Sequence, residues 1–170
     1  MNTTKIEWTD KTWNPVTGCT KLTTGCAHCY AEIMVHRLHA MGVAKYANKF
    51  TPTTHENVLD EPLRWKRSHT VFVCSMADLF HDDVPFGFID KVIDTIRQAG
   101  HHRYQILTKR ANRMAEYFSN VDIPENVWLG VTVESPDELS RRDSLRGLKA
   151  TIRFLSCEPL IADLGTIDLF

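Results

Sequence analysis

Four short runs dense in β-branched and aromatic residues recur through the last hundred residues of the chain, each followed by sequence with helical spacing. They are 70–76, 104–108, 127–133 and 151–156. Between them, Pro85 opens a segment with Phe86, Ile89, Val92, Ile93 and Ile96 on one stripe, stopped by Gly100. Lys109 and Arg110 lead into a second helix carrying Met114, Tyr117 and Phe118. Ser135-Pro136-Asp137-Glu138 is a capping box with proline at the first helical position. The apolar runs do not simply alternate with polar residues, so each strand is expected to be covered on both faces. Strand, helix, strand in regular turn then predicts βαβ units: an α/β fold with a parallel sheet and covering helices.

Before this regular region lies a segment of different character. Thr12 to Thr17 leads into a loop over residues 18–30 that holds Cys19, Cys26 and Cys29. Tyr30 to Ala40 reads as a helix stopped by Gly42. Residues 43–60 have no clear period and contain Pro52, long enough to suggest a lid or substrate loop. A short helix near Pro62–Lys66 is expected to close it. Length supports one domain: 170 residues bury a core without disulfide staples. With no repeat or linker, residues 1–170 are expected to form a single α/β domain.

Composition narrows the function. Twenty basic against 21 acidic residues give a net charge of −1, so a surface that binds nucleic acid throughout is not expected. Arg141, Arg142, Arg146, Lys149 and Arg153 are read as a solvated helix face. No apolar run spans a bilayer and the polar start Met1–Ile6 lacks a secretory signal, which predicts a cytoplasmic protein without membrane contact. There, five cysteines should be thiols or metal ligands.

In parallel α/β folds, chemistry gathers beyond the carboxyl ends of the strands. Here those ends exit into Asp78, Lys109-Arg110, Glu134 and Glu158. If the cysteine loop follows an initial strand, it joins the same rim. Lys109 or Arg110 would suit a carboxylate, and Asp78 or Glu134 an amine or ribose hydroxyls. Cys74 and Cys157 are expected to be inert core thiols. His81, His101 and His102 are expected to be loop or surface groups. Three thiolates are a soft set suited to iron–sulfur or zinc. Zinc would need a fourth ligand, and His28, between the cysteines of a Cys-x-x-Cys turn, is poorly placed to reach the same ion. A redox role for the thiols is the other reading.

Six runs carry a resemblance that covers nearly the whole chain. They are Trp13–Cys19, Gly25–Glu32, Ser75–His81, Ile106–Arg110, Asn126–Glu134 and Arg153–Leu160. Together they resemble the phage Gp37/Gp68-like (DUF5131) family, which looks like a branch of the radical SAM superfamily. The resemblance implies a [4Fe–4S] cluster on Cys19, Cys26 and Cys29, with one iron left for S-adenosylmethionine. It implies an enzyme that generates a 5′-deoxyadenosyl radical for hydrogen abstraction from an unknown substrate, nucleic acid being one candidate. Asp78, Lys109, Glu134 and Glu158 become the cofactor-binding candidates, and an electron donor the required partner. The alternatives are a non-catalytic zinc-binding module and an electron-transfer or redox-sensing iron–sulfur protein. Relatives continue past the Cys157-Glu158-Pro159 segment, so truncation at the C-terminus is expected. The sheet would then be a partial, TIM-like barrel of about five or six strands.

Overall fold

A computed structural model describes residues 4–169. Of the polar start Met1–Ile6, the first three residues lie outside that range, as does Phe170. The main sheet has five strands: β1 (Lys11–Trp13), β4 (Thr70–Val73), β5 (Arg103–Thr108), β6 (Val127–Thr132) and β7 (Ile152–Ser156). They lie side by side in the order β1-β4-β5-β6-β7, every pair parallel. Each new strand adds on the same side as the last. The sheet therefore has no point where strand order reverses, and its open end is a continuous mouth of a partial, unclosed barrel.

Helices α2 (Phe86–Gln98), α3 (Ala111–Phe118) and α4 (Ser140–Arg146) fill the crossovers between neighbouring strands. On α2 the buried stripe is Phe88, Ile89, Val92, Ile93 and Ile96, packed in one core with Val71, Val73, Ile106, Leu129 and Val131 of the sheet. Truncating any one of these isoleucines to alanine would cost about 2–5 kcal/mol in such surroundings. A smaller core under α1 (Tyr30–Ala40) gathers Ala31, Val35, Tyr46 and Met76. No helix among the described residues is long and apolar enough to cross a membrane.

Several expectations need adjusting. The run 70–76 leaves the sheet after Val73 because Cys74 adopts a positive φ of 61°, which turns the chain out of line. The helix after Lys109-Arg110 starts at Ala111 with Arg110 as its N-cap, so both cations belong to the strand–helix loop, and Asp78 and Asp82 offset the Arg110 charge at the helix end. The capping box forms as expected, on a single 3₁₀ turn Pro136–Glu138 ahead of α4.

Residues 43–60 are not a free lid. β2 (Val16–Thr17) pairs antiparallel with β3 (Thr53–Thr54), His55 N donates to Pro15 O at 2.8 Å, and Trp13 Nε1 donates to Val58 O at 2.8 Å. These bonds tie the segment to β2 and to the residues just ahead of it.

The histidine expectation also fails at two positions. His81 is 2% and His102 1% exposed, because each ring satisfies backbone groups inside the fold. His102 accepts from His69 N at 3.2 Å and bonds Pro62 O at 3.0 Å; His81 accepts from Asp83 N at 3.1 Å. Cys74 is buried as expected. Cys157 is half-buried and lies one residue past β7, not inside it, since that strand is the sheet's thinly covered edge.

Candidate functional site

The cysteine loop is placed by the ends of three strands. Gly18 N donates to Met76 O at 3.0 Å just beyond β4, while Asn14 Oδ1 accepts from Ser75 Oγ and Met76 N, both at 3.1 Å. Gly18 has φ +81°, and a Cβ there would fall 2.3 Å from Thr51 O. Only glycine lets the loop pass that close to the 43–60 segment. Cys19 N then donates to Phe50 O at 3.0 Å. The loop thus leaves β2, crosses β4 and reaches over β5 and β6, where its side chains meet the rim.

Over β5, Arg110 is the contact. Its Nη1 donates to Cys19 Sγ at 3.7 Å and to Asp78 Oδ2 at 3.3 Å, its Nη2 to Thr20 Oγ1 at 3.0 Å, and its Nε to Asp82 Oδ2 at 3.3 Å. Asp78 also accepts from the Thr108 hydroxyl at 2.7 Å and from Phe80 N and Lys109 N at 3.0 and 3.1 Å. With that many donors, Asp78 is an organising carboxylate that fixes the β5 end. His81 Nε2 lies 2.7 Å from Thr20 Oγ1, and its Nδ1 accepts from Asp83 N. That assigns the proton to Nε2 and makes the ring a donor to the cysteine loop.

Over β6, the focus is Glu134, 1% exposed. It ion-pairs with Lys109 and with Arg141 Nη1 at 3.2 Å, and accepts from Thr23 Oγ1 at 3.0 and 3.1 Å. Arg141 Nη1 also donates to Thr132 O at 2.7 Å. Two cations share this one buried carboxylate, and the Glu138 charge acts on both of them as well. Charges on Cys26 and Cys29 both act on Lys109.

That field bears on the thiols. Burial works against ionisation of Cys26, but hydrogen bonds from the backbone near Leu22 and Thr23, the Thr23 hydroxyl 3.7 Å away and the Lys109 charge outweigh it and lower its pKa. Cys19 moves the other way: burial and the Asp78 charge raise it by more than Arg110 lowers it. Among the described residues, no three histidine, cysteine, aspartate or glutamate side chains converge closely enough to hold a single metal ion.

Of the eight residues anticipated, the structure brings seven to one mouth: Cys19, Cys26, Cys29, Asp78, Lys109, Arg110 and Glu134. Glu158 stands apart, exposed and without an ion pair among the described residues. Sequence reasoning missed Arg141, read as part of a solvated face, and Thr20, Thr23 and His81. Its clue to Arg141 was the capping box, which turns the chain back so that the start of α4 faces Glu134.

A family model described as protein of unknown function (DUF5131) matches residues 3–170. The chain belongs to the DUF5131 family. No curated protein matches this family member's sequence. Among solved structures, a cysteine-to-serine variant of spore photoproduct lyase shares the fold, with a TM-score of 0.58 at 13% identity. The match covers 90% of the DUF5131 chain and 46% of the lyase, so the chain spans about half the length of that protein.

Proposed function

We propose that this DUF5131 protein is a radical S-adenosylmethionine enzyme whose cluster sits on Cys19, Cys26 and Cys29. The observation that carries the reading is the cysteine loop itself, laid across the carboxyl ends of β4, β5 and β6 with Arg110 on Cys19 and Lys109 below Cys26 and Cys29. The fold it shares with spore photoproduct lyase, itself a radical SAM enzyme, supports it.

The donor set fits an iron–sulfur cluster better than one ion. A cubane takes each thiolate at a different iron, so its cysteines need not converge on a point; a single zinc requires that they do. When bound, a reduced cluster with one open iron supplies an electron that cleaves S-adenosylmethionine to methionine and a 5′-deoxyadenosyl radical able to abstract substrate hydrogen. The chain's own residues then do the positioning. Arg110 fixes the first thiol and ties it to the Asp78 network. Lys109 and Arg141 compensate thiolate charge from below while Glu134 holds them in place, and the Thr23 hydroxyl connects Glu134 to the loop. Asp78, Lys109, Glu134 and, more remotely, Glu158 are the cofactor-contact candidates, and a one-electron donor is the required partner.

The test is anaerobic reconstitution with iron and sulfide, followed by reduction with dithionite in the presence of S-adenosylmethionine. The reading expects about four irons per chain, brown colour lost when the three cysteines become alanine, and 5′-deoxyadenosine as product. A cluster without S-adenosylmethionine cleavage would leave an electron-transfer protein. One zinc and no iron in anaerobically purified protein would leave the zinc-binding module.

A further inference from the structure

Away from the cysteine mouth, a cavity of ≈ 340 Å³ opens among Lys45, Asn48, Thr53, His55 and Asn57. No carboxylate lines it. From Ile33 through His55 the sequence contains no aspartate or glutamate, yet it holds Arg37, Lys45 and Lys49, in a chain whose overall charge is −1. The nearest acids are committed or distant: Glu56 pairs with Lys91 at 2.6 Å and Asp60 pairs with Arg64, while Glu61 attracts Lys45 without contact.

Lys45 makes no ion pair among the described residues and is partly buried. A half-desolvated ammonium beside amides and an imidazole, with no anion of its own, is a donor set awaiting a negatively charged ligand. His55 is held in place by its Nε2, 2.7 Å from Thr17 Oγ1, and Asn48 Nδ2 donates to Thr53 Oγ1 at 3.3 Å, so the lining is ordered in advance.

We infer that the Lys45 cavity binds the phosphate group of a nucleotide or of a nucleic-acid backbone. The wall is joined to the strand that leads into the cysteine loop: His55 of the lining bonds Thr17 Oγ1, and two residues later Cys19 N donates to Phe50 O, which belongs to the same 43–60 segment but lies outside the lining. As an anchor for a phosphate-bearing substrate the cavity rests on the radical SAM reading; as a phosphate site it does not.

The test uses the full chain without cluster or S-adenosylmethionine, so its failure and the failure of the enzyme reading are separable. Side-chain and backbone amide resonances of Asn48, Asn57 and their neighbours are followed by NMR during titration with inorganic phosphate, then adenosine monophosphate, then a single-stranded DNA dodecamer, at low salt. The proposal expects saturable shifts confined to residues 44–57. It expects Lys45→Gln to weaken phosphate binding roughly tenfold or more, the loss of one charge-assisted hydrogen bond, and Lys49→Gln to weaken it less than about threefold. Lys45→Arg should retain binding. Dodecamer binding much tighter than the mononucleotide assigns the phosphate to a polymer; comparable binding assigns it to a nucleotide. Equal losses in the Lys45 and Lys49 variants would reveal diffuse attraction and overturn the site. So would an absence of shifts in the wild-type protein, whatever the variants do.

Discussion

Gly25 sits directly against the Glu134 carboxylate: a Cβ at Gly25 would lie 2.1 Å from Glu134 Oε1. Elsewhere the tip of a glutamate could swing aside, but this one is clamped by Lys109, Arg141 and Thr23. The glycine lets the cysteine loop touch the rim, and the clamped carboxylate fixes where it touches. Gly25→Ala is therefore expected to destabilise the protein by about 1–3 kcal/mol, the usual cost of overpacking a site that cannot relax. Gly87, near the start of α2 with open space around it, is the internal control. Its replacement by alanine should be neutral or stabilising by up to about 1 kcal/mol. Urea denaturation of both variants measures the contrast, and equal effects would contradict it.

Glu134→Gln keeps the side chain's shape but removes the charge that two cations share. Breaking a buried ion pair at one partner costs roughly 3–5 kcal/mol, and the partial exposure of Lys109 places this one at the lower end. Arg141→Gln should cost less, because Lys109 and Thr23 still hold the carboxylate. Chemical denaturation orders the two. If Glu134→Gln fell within the roughly 0.5 kcal/mol typical of surface changes, the clamp would have no energetic substance.

These two residues also mark how far the sequence could be read. The stripe on α2 and strands β4 to β6 were legible because apolar pattern and burial coincide there, and β7 by its β-branched and aromatic run although it is a half-exposed edge. So was the convergence of Asp78, Lys109 and Glu134, which follows from strand ends meeting at one mouth. β1 and β2 were not, since Lys11-Thr12-Trp13 and Val16-Thr17 are too short to show a period. Arg141 was hidden by its neighbours: a run of arginines reads as a solvated face, and only the turn at Ser135–Glu138 points the first of them inward. His102 was hidden for a similar reason. A His-His pair in a loop looks exposed until Trp65 and the Pro62 carbonyl, some forty residues earlier, close over it.

Four of the five thiols should separate by reactivity. Burial pushes the Cys74 thiol up to about 12, so at pH 8 almost none of it is thiolate and none is accessible. Cys19, Cys26 and Cys29 are all partly exposed. In protein without metal, iodoacetamide followed by peptide mass spectrometry should label the trio while Cys74 stays unmodified until denaturant is added. Iron and sulfide reconstitution should then protect the trio and leave Cys74 unchanged. Labelling of Cys74 at a rate like that of Cys26 would mean the β4 turn is open.

Acid should weaken the fold through His102. Its ring accepts a hydrogen bond from His69 N and gives its own proton to Pro62 O, an arrangement that only the neutral form satisfies. Burial lowers its pKa first; the Pro62 carbonyl opposes this, while His101, His69 and Lys11 push further down. His69, stacked on it at 5.7 Å, is lowered as well, by burial ahead of Lys11 and with Asp10 opposing. An unfolded histidine titrates near 6.5, so below that pH the unfolded chain takes up protons that the folded chain refuses. Stability from these rings is thus complete above about pH 7 and is lost as pH falls through 6.5 toward their folded values. The midpoint of thermal unfolding should drop between pH 7 and 5.5, and the drop should be shallower in His102→Gln and shallower again when His69→Asn is added. An undiminished slope in the double variant would transfer the effect to His55 and His81, whose pKa values burial also lowers. Stability that rose on acidification would reverse the sign of the argument and rule out a neutral His102.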